Sequence, residues 1–321
     1  MRSGIRRAWG NKQSLYKAAV LGLALSFSAM IEAAEAGAFG LLCAGLEPGP
    51  TRTVARIVDG ETVVLDDGSE LRLIGALVPR AIDAGADPGM WPLEVLAQEE
   101  LRALILGKSV RLAFDGARTD RYGRLQAHAF SIDGDQRRWV QGHLLQQGLA
   151  RAYAEEGNRA CSAEALAAER VAREARRGLW ADAAYQARPA ARTRELSRYL
   201  GTFQVVEGQI ARIGVGRGTI FLNFGHDRQE FSVSLRRGDR ALLGPHADDP
   251  RALEGRYARV RGWIEHRSGP TINLSTAGMI EVLNAPSVPT AAIGRRRPKA
   301  SRDLQQQDPE AKPPGLVETG R

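Results

Sequence analysis

From Thr53 onward, apolar and polar side chains alternate one by one over short runs cut by tight turns. Only pleated strands, whose successive residues face opposite sides, accommodate that pattern. Val54, Arg56 and Val58 oppose Ala55 and Ile57, and Asp59-Gly60 then turns the chain. Val63, Val64 and Leu65 follow, then a second turn at Asp66-Asp67-Gly68, then Leu71, Leu73 and Ala76, which predicts a three-strand meander. Between Pro92 and Leu106 the apolar residues Leu93, Leu96, Ala97, Leu101, Leu104 and Ile105 recur at three- and four-residue spacing, the signature of an amphipathic helix ended by Gly107. Two further strands are expected at 109–114 and 125–132, and helices at 140–147 and 163–176, the last stopped by Gly178. Five strands with interposed helices predict a small barrel of the OB type.

A second β-rich run follows. Residues 183–200, rich in Ala and Arg, are expected as a linker. Strands are then predicted at 202–213, 218–224, 230–235, 256–266 and 271–283, with turns at 214–218, 225–227 and 268–269. The expected architecture is therefore mainly β with α: a helix-bearing OB barrel over 52–182 and a second small OB-like β-barrel over 201–284. Residues 285–321 hold six prolines and few apolar side chains and are expected to be a disordered tail.

Of the 321 residues, 43% are hydrophobic and 26% charged, enough to bury real cores and to exclude wholesale disorder, collagen and a multi-span membrane protein. The net charge of +8 is uneven: +2 over residues 1–50, −2 over 51–185, +5 over 186–284 and +3 over 285–321. At the N-terminus Arg2, Arg6, Arg7, Lys12 and Lys17 precede a mostly apolar run from Ala18 to Ile31, and then Ala34-Glu35-Ala36. This is the pattern of a secretory signal peptide over 1–36, cleaved after Ala36 and followed by a short N-terminal segment, 37–51. The apolar run is shorter than the roughly 20 residues that span a bilayer, so no transmembrane segment is expected after cleavage; an uncleaved anchor is the alternative. Export would put Cys43 and Cys161 in an oxidising compartment, periplasmic or extracellular, where a disulfide between them is expected; two buried free thiols are the alternative.

The string Arg118-Thr119-Asp120-Arg121-Tyr122-Gly123-Arg124 lies between two predicted strands. It is joined by Asp59-Gly60-Glu61-Thr62 in the first hairpin, Leu71-Arg72-Leu73-Ile74-Gly75 in the third strand and Gly178-Leu179-Trp180 after the last helix. With these four strings in order, residues 52–181 resemble the thermonuclease (staphylococcal nuclease-like) family. The resemblance implies calcium-dependent hydrolysis of DNA and RNA phosphodiester bonds. In that chemistry a carboxylate-bound cation neutralises the phosphate, a glutamate activates water, and two arginines receive the charge that grows on the phosphoryl oxygens. It places Arg72 and Arg124 at the two arginine positions, where planar guanidinium groups suit phosphate; two surface arginines paired with neighbouring carboxylates are the alternative.

The metal positions depart from the family. Glu61 stands where the hairpin carries an aspartate ligand, a change that only lengthens the side chain. Where the family reads Asp-Thr-Pro-Glu, with a second ligand and the base, this chain reads Leu77-Val78-Pro79-Arg80. Leucine cannot coordinate calcium, and Arg80 brings a positive charge to a cation's place. The remaining route to a weak site is Glu61 with Asp59 and one of Asp83 or Asp87. No cofactor is expected. Arg72, Arg124 and Glu61 remain candidates for catalysis, and Arg72, Arg80 and Arg124 for binding phosphate.

In the second barrel, strand alternation puts Tyr257, Arg259, Arg261 and Trp263 on one face of 256–266. An exposed basic and aromatic face is what a single-strand nucleic-acid groove uses; the same residues as core rings and covering arginine stems are the alternative. The five histidines show no metal-ligand spacing, and Gly214-Val215-Gly216-Arg217-Gly218 links two strands and reads as a turn. The expected function is an exported protein that binds nucleic acid or another polyanion through a degenerate nuclease site. A slow metal-dependent endonuclease and a cell-envelope interaction module are the alternatives.

Overall fold

The computed structural model describes residues 43–284, apart from 44, 81–90, 135, 156, 159 and 228. The predicted signal peptide and C-terminal tail therefore lie outside the described residues, as do Asp83 and Asp87.

The first half runs β1 (Glu47–Ile57), β2 (Thr62–Leu65), β3 (Glu70–Leu73), β4 (Ala76–Leu77), α1 (Trp91–Ile105), β5 (Ser109–Phe114), β6 (Leu125–Asp133), β7 (Gln136–Trp139), α2 (Val140–Gln146), β8 (Arg151–Ala152) and α3 (Ser162–Glu174). Antiparallel pairing gives the path β3-β2-β1-β5-β6-β7, and a parallel pairing of β3 with β6 closes β1, β2, β3, β6 and β5 into a five-strand barrel. The strand β1 starts six residues before the predicted one. It serves two neighbours because its register shifts twice, at Pro48/Thr51 against β5 and at Val54/Arg56 against β2. Such bulges sharpen strand twist and let one strand turn a barrel corner. Val54, Leu65, Leu71, Leu112 and Ala129 fill the interior, and Leu101 and Ile105 of α1 pack onto it.

The second half runs β9 (Arg188–Pro189), α4 (Thr193–Leu196), β10 (Phe203–Gln209), β11 (Arg212–Val215), β12 (Thr219–Asn223), β13 (Ser232–Arg236), β14 (Tyr257–His266), β15 (Pro270–Asn273) and β16 (Ile280–Leu283). The path is β11-β12-β13-β15-β14-β10, with β13 and β15 parallel. Only Ile210 and Ala211 separate β10 from β11, so the two act as halves of one bent strand and the path closes. The order and the parallel β13–β15 pairing repeat those of the first barrel, and β9 adds a parallel pairing to β10. The predicted strand 271–283 is divided into β15 and β16 by residues 274–279, where the Thr276 hydroxyl donates to the Ala154 carbonyl of the first barrel.

The segment 183–200, expected as a linker, is instead built into the fold. Arg188 is buried; its guanidinium donates to Gln204, Glu195 and the Ala184 carbonyl and lies 3.6 Å from the Tyr199 ring centre. Tyr185, with Ala172, Leu179, Trp180 and Val205, forms a small core between the two barrels. A disulfide joins Cys43, just before β1, to Cys161, at the start of α3; both residues are buried.

Candidate functional site

The turn after β1 is fixed by Asp59, whose Oδ1 accepts the backbone N–H groups of Glu61 and Thr62, each at 2.7 Å. This Asx turn points Glu61 inward, where it is only 3% exposed. Its Oε1 accepts the Val78 N–H at 2.6 Å and its Oε2 faces Arg80 Nη2 at 2.8 Å. Burial pushes the Glu61 carboxyl above the usual carboxylate value, although the Arg80 charge and the Val78 N–H pull the other way.

Arg72 projects from β3 and pairs with Glu155 at 2.6 Å. Arg124 pairs with Asp120 at 2.7 Å. The Asp120 carboxylate also accepts the N–H groups of Tyr122 and Arg124, which folds 120–124 into a tight turn around Gly123 at φ 82°. Burial opposes ionisation of Asp120, but the Arg124 guanidinium and these N–H donors outweigh it and hold the carboxyl below its ordinary range.

Glu61, Arg72, Arg80 and Arg124 converge on one open cleft of about 400 Å³, together with Asp59, Glu94, Arg121 and Tyr122. Three of its residues, Glu94, Arg121 and Tyr122, were not singled out from the sequence. Tyr122 is 68% exposed, and the Arg121 and Arg124 guanidinium centres lie 4.8 and 5.5 Å from its ring centre. The signal was present in the string Arg121-Tyr122-Gly123-Arg124, in which a ring stands between cations on a glycine turn. Glu155, which holds Arg72, was not anticipated because nothing local marks it.

The carboxylates of the hairpin that lines the cleft are engaged by neighbouring groups. Calcium takes about six to eight oxygens. Here both Glu61 oxygens are engaged, Asp59 is used by its own turn, and Leu77 is buried in β4. Among the described residues no group of three or more His, Cys, Asp or Glu side chains is placed to hold a metal ion. Among the described residues the donor set does not fit calcium.

The expected groove on β14 is not open. Arg259 is buried and pairs with Glu207 at 2.5 Å and Glu281 at 3.5 Å. Arg261 is 2% exposed and pairs with Glu169 of α3 at 2.7 Å and Glu281 at 2.5 Å. Alternation does place both on one face, but α3 and β16 cover that face: Arg261 ties the second barrel to the first, while Arg259 is paired within the second barrel. Tyr257 is half-buried, and Trp263, at 46%, is the exposed member of the four.

Comparison with known proteins agrees with this geometry. Residues 71–182 match the family model described as staphylococcal nuclease homologue. A thermonuclease of Staphylococcus hyicus is 27% identical over 135 residues, covering 41% of this chain and 76% of that protein. The strands β1 and β2 complete the barrel ahead of the matched span, and residues 71–182 thus form a staphylococcal nuclease homologue domain.

Proposed function

We propose that this is an exported, nuclease-like protein that binds nucleic acid in the cleft through arginines, in place of a calcium-centred catalytic site. The observation that carries the reading is the Glu61–Arg80 pair. The side chain at the position of the family's base supplies a guanidinium, and that guanidinium neutralises the carboxylate at the position of a metal ligand. Arg72, Arg80, Arg121 and Arg124 line the cleft, and carboxylate partners hold Arg72, Arg80 and Arg124 in place. Guanidinium groups take phosphate oxygens bidentately, and Tyr122 offers a ring on which a base can stack.

The chain's own residues would bind and orient a phosphodiester, with the Glu61 carboxylate held by Arg80 and the Val78 N–H instead of activating water. Removing one electrostatic group from such a site costs about 10² to 10³ in rate, and both the second ligand and the base are replaced here. Export rests on the basic and apolar N-terminal pattern and is supported by the Cys43–Cys161 bridge. Among the described residues no helix is long and apolar enough to cross a membrane.

The test is incubation of the disulfide-bonded protein with single-stranded DNA and RNA in calcium, magnesium or manganese, beside a binding titration in EDTA. The expected result is chelator-insensitive binding, weakened by Arg72→Ala and by Arg124→Ala, with little digestion. Rapid metal-dependent digestion abolished by Glu61→Ala would overturn the reading.

A further inference from the structure

The second barrel brings one open aromatic ring, Trp263, beside Tyr153 of the first barrel. Trp263 shares a face of β14 with Arg259 and Arg261, but the cover over that face ends before it, since β16 pairs with β14 only from Tyr257 to Val260. Across the sheet its register partner is Phe203, whose ring stands edge-on at 6.1 Å between centroids. Phe203 in turn meets Tyr153 edge-on at 5.4 Å. The three rings form a continuous cluster that fixes the Trp263 ring while leaving it 46% exposed.

Tyr153 belongs to the first barrel. It follows β8, and its N–H donates to the Gly75 carbonyl at 3.3 Å. The side chain of Trp263 faces the Tyr153 hydroxyl. Two residues on, Glu155 grips Arg72 at 2.6 Å, and Arg72 lines the cleft. Only Glu155 and Tyr153 therefore separate a phosphate-binding guanidinium from the indole. Buried ion pairs hold this placement: Arg261, two residues before Trp263 on β14, is tied to Glu169 of α3.

We propose that Trp263 is a base-stacking platform that extends the cleft for a single-stranded nucleic acid, with the second barrel docked to present it. The proposal rests on the reading of the cleft as a phosphodiester-binding site. A strand held by its phosphates on Arg72 and Arg124 would lay an adjacent base on the indole. Every base has a π-face, so the platform is sequence-tolerant. A duplex keeps its bases stacked inside and cannot use it, so the platform discriminates single strands from duplexes.

The test uses the full disulfide-bonded protein and fluorescence anisotropy with a labelled single-stranded dodecamer, the same strand carrying abasic sites, and the matching duplex. Stacking of one base is worth about 1 to 3 kcal/mol, so Trp263→Ala is expected to weaken single-strand binding about 5- to 150-fold. Its salt dependence should stay unchanged, because no phosphate contact is lost. Trp263→Phe keeps a ring against Phe203 and should retain most of the affinity. Abasic and duplex ligands should bind wild type and Trp263→Ala alike. Unchanged single-strand binding by Trp263→Ala, with loss on Arg72→Ala, would overturn the platform and leave the cleft. Equal losses in Trp263→Phe and Trp263→Ala would also overturn it, since a ring would then not suffice. Failure of the wild type to bind any of the ligands would overturn both readings.

Discussion

Arg261 of the second barrel reaches Glu169 of the first at 2.7 Å, with both side chains almost wholly removed from solvent. The pair is enclosed by partners: Glu169 also accepts from Arg173 and from the Ala152 N–H, and Arg261 also donates to Glu281. Breaking a buried pair by removing one member strands the other charge, which costs about 3 to 5 kcal/mol. Arg261→Ala and Glu169→Ala should each lower stability by about that amount. An Arg261→Met and Glu169→Leu double variant should lose less than the sum. The two barrels should unfold in a single urea transition; two separated transitions in the wild type would contradict this coupling.

The same pair shows what local sequence could and could not reveal. The first barrel was legible because its turn residues, Asp59-Gly60 and Asp66-Asp67-Gly68, sit where the alternation breaks. The cleft arginines were legible because their strings have few alternatives. The fate of Arg259 and Arg261 was not, since their partners Glu207, Glu281 and Glu169 are distant in the chain and a strand pattern does not say what covers its face. Residues 183–200 misled for a related reason. Their Ala and Arg content suggests a linker, yet Arg188 is buried because Glu195, Gln204 and Tyr199 close around it.

Replacing Arg80 tests the electrostatics of the cleft. Without its guanidinium the Glu61 carboxyl, already raised by burial, should rise further. A raised carboxyl contributes stability that is fully present below its unfolded value of 4.5 and lost as pH rises through the folded value. Arg80→Ala should therefore be less stable than wild type at pH 7, by about 1 to 3 kcal/mol, and should recover towards it as pH falls. Urea midpoints at pH 7 and near pH 5 measure this, and a deficit that does not change with pH would show that Arg80 acts by packing alone.

The bridge between Cys43 and Cys161 closes a loop with a sequence separation of 118 residues. In the chain-entropy model, such a loop stabilises by about 5 kcal/mol. Thiol titration of denatured, unreduced protein should find no free sulfhydryl. Because both cysteines are buried, mild reductant should act slowly on the native protein and quickly once urea opens it. A Cys43→Ser, Cys161→Ser variant as stable as the parent would refute the predicted contribution.

His128 sets an opposite acid response. It is buried on β6, where the Trp139 indole N–H donates to its Nδ1 at 3.3 Å, so the neutral ring carries its proton on Nε2. Burial lowers its pKa from 6.5 to about 4. A depressed histidine contributes stability that is present above 6.5 and lost as pH falls through about 4, a loss of about 3 kcal/mol at the acid end. Glu61 works in the other direction above 4.5, because protonation relieves its buried charge. The wild-type profile is thus the difference of two slopes, and each is separable by substitution. His128→Gln keeps an acceptor for Trp139 but cannot titrate, so it should start below wild type at pH 7 and gain on it as pH falls from 6.5 to 4. Glu61→Gln should leave the histidine slope standing and make the acid loss steeper than in wild type. Parallel stability curves for His128→Gln and wild type across that range would show that the ring does not take up its proton on unfolding.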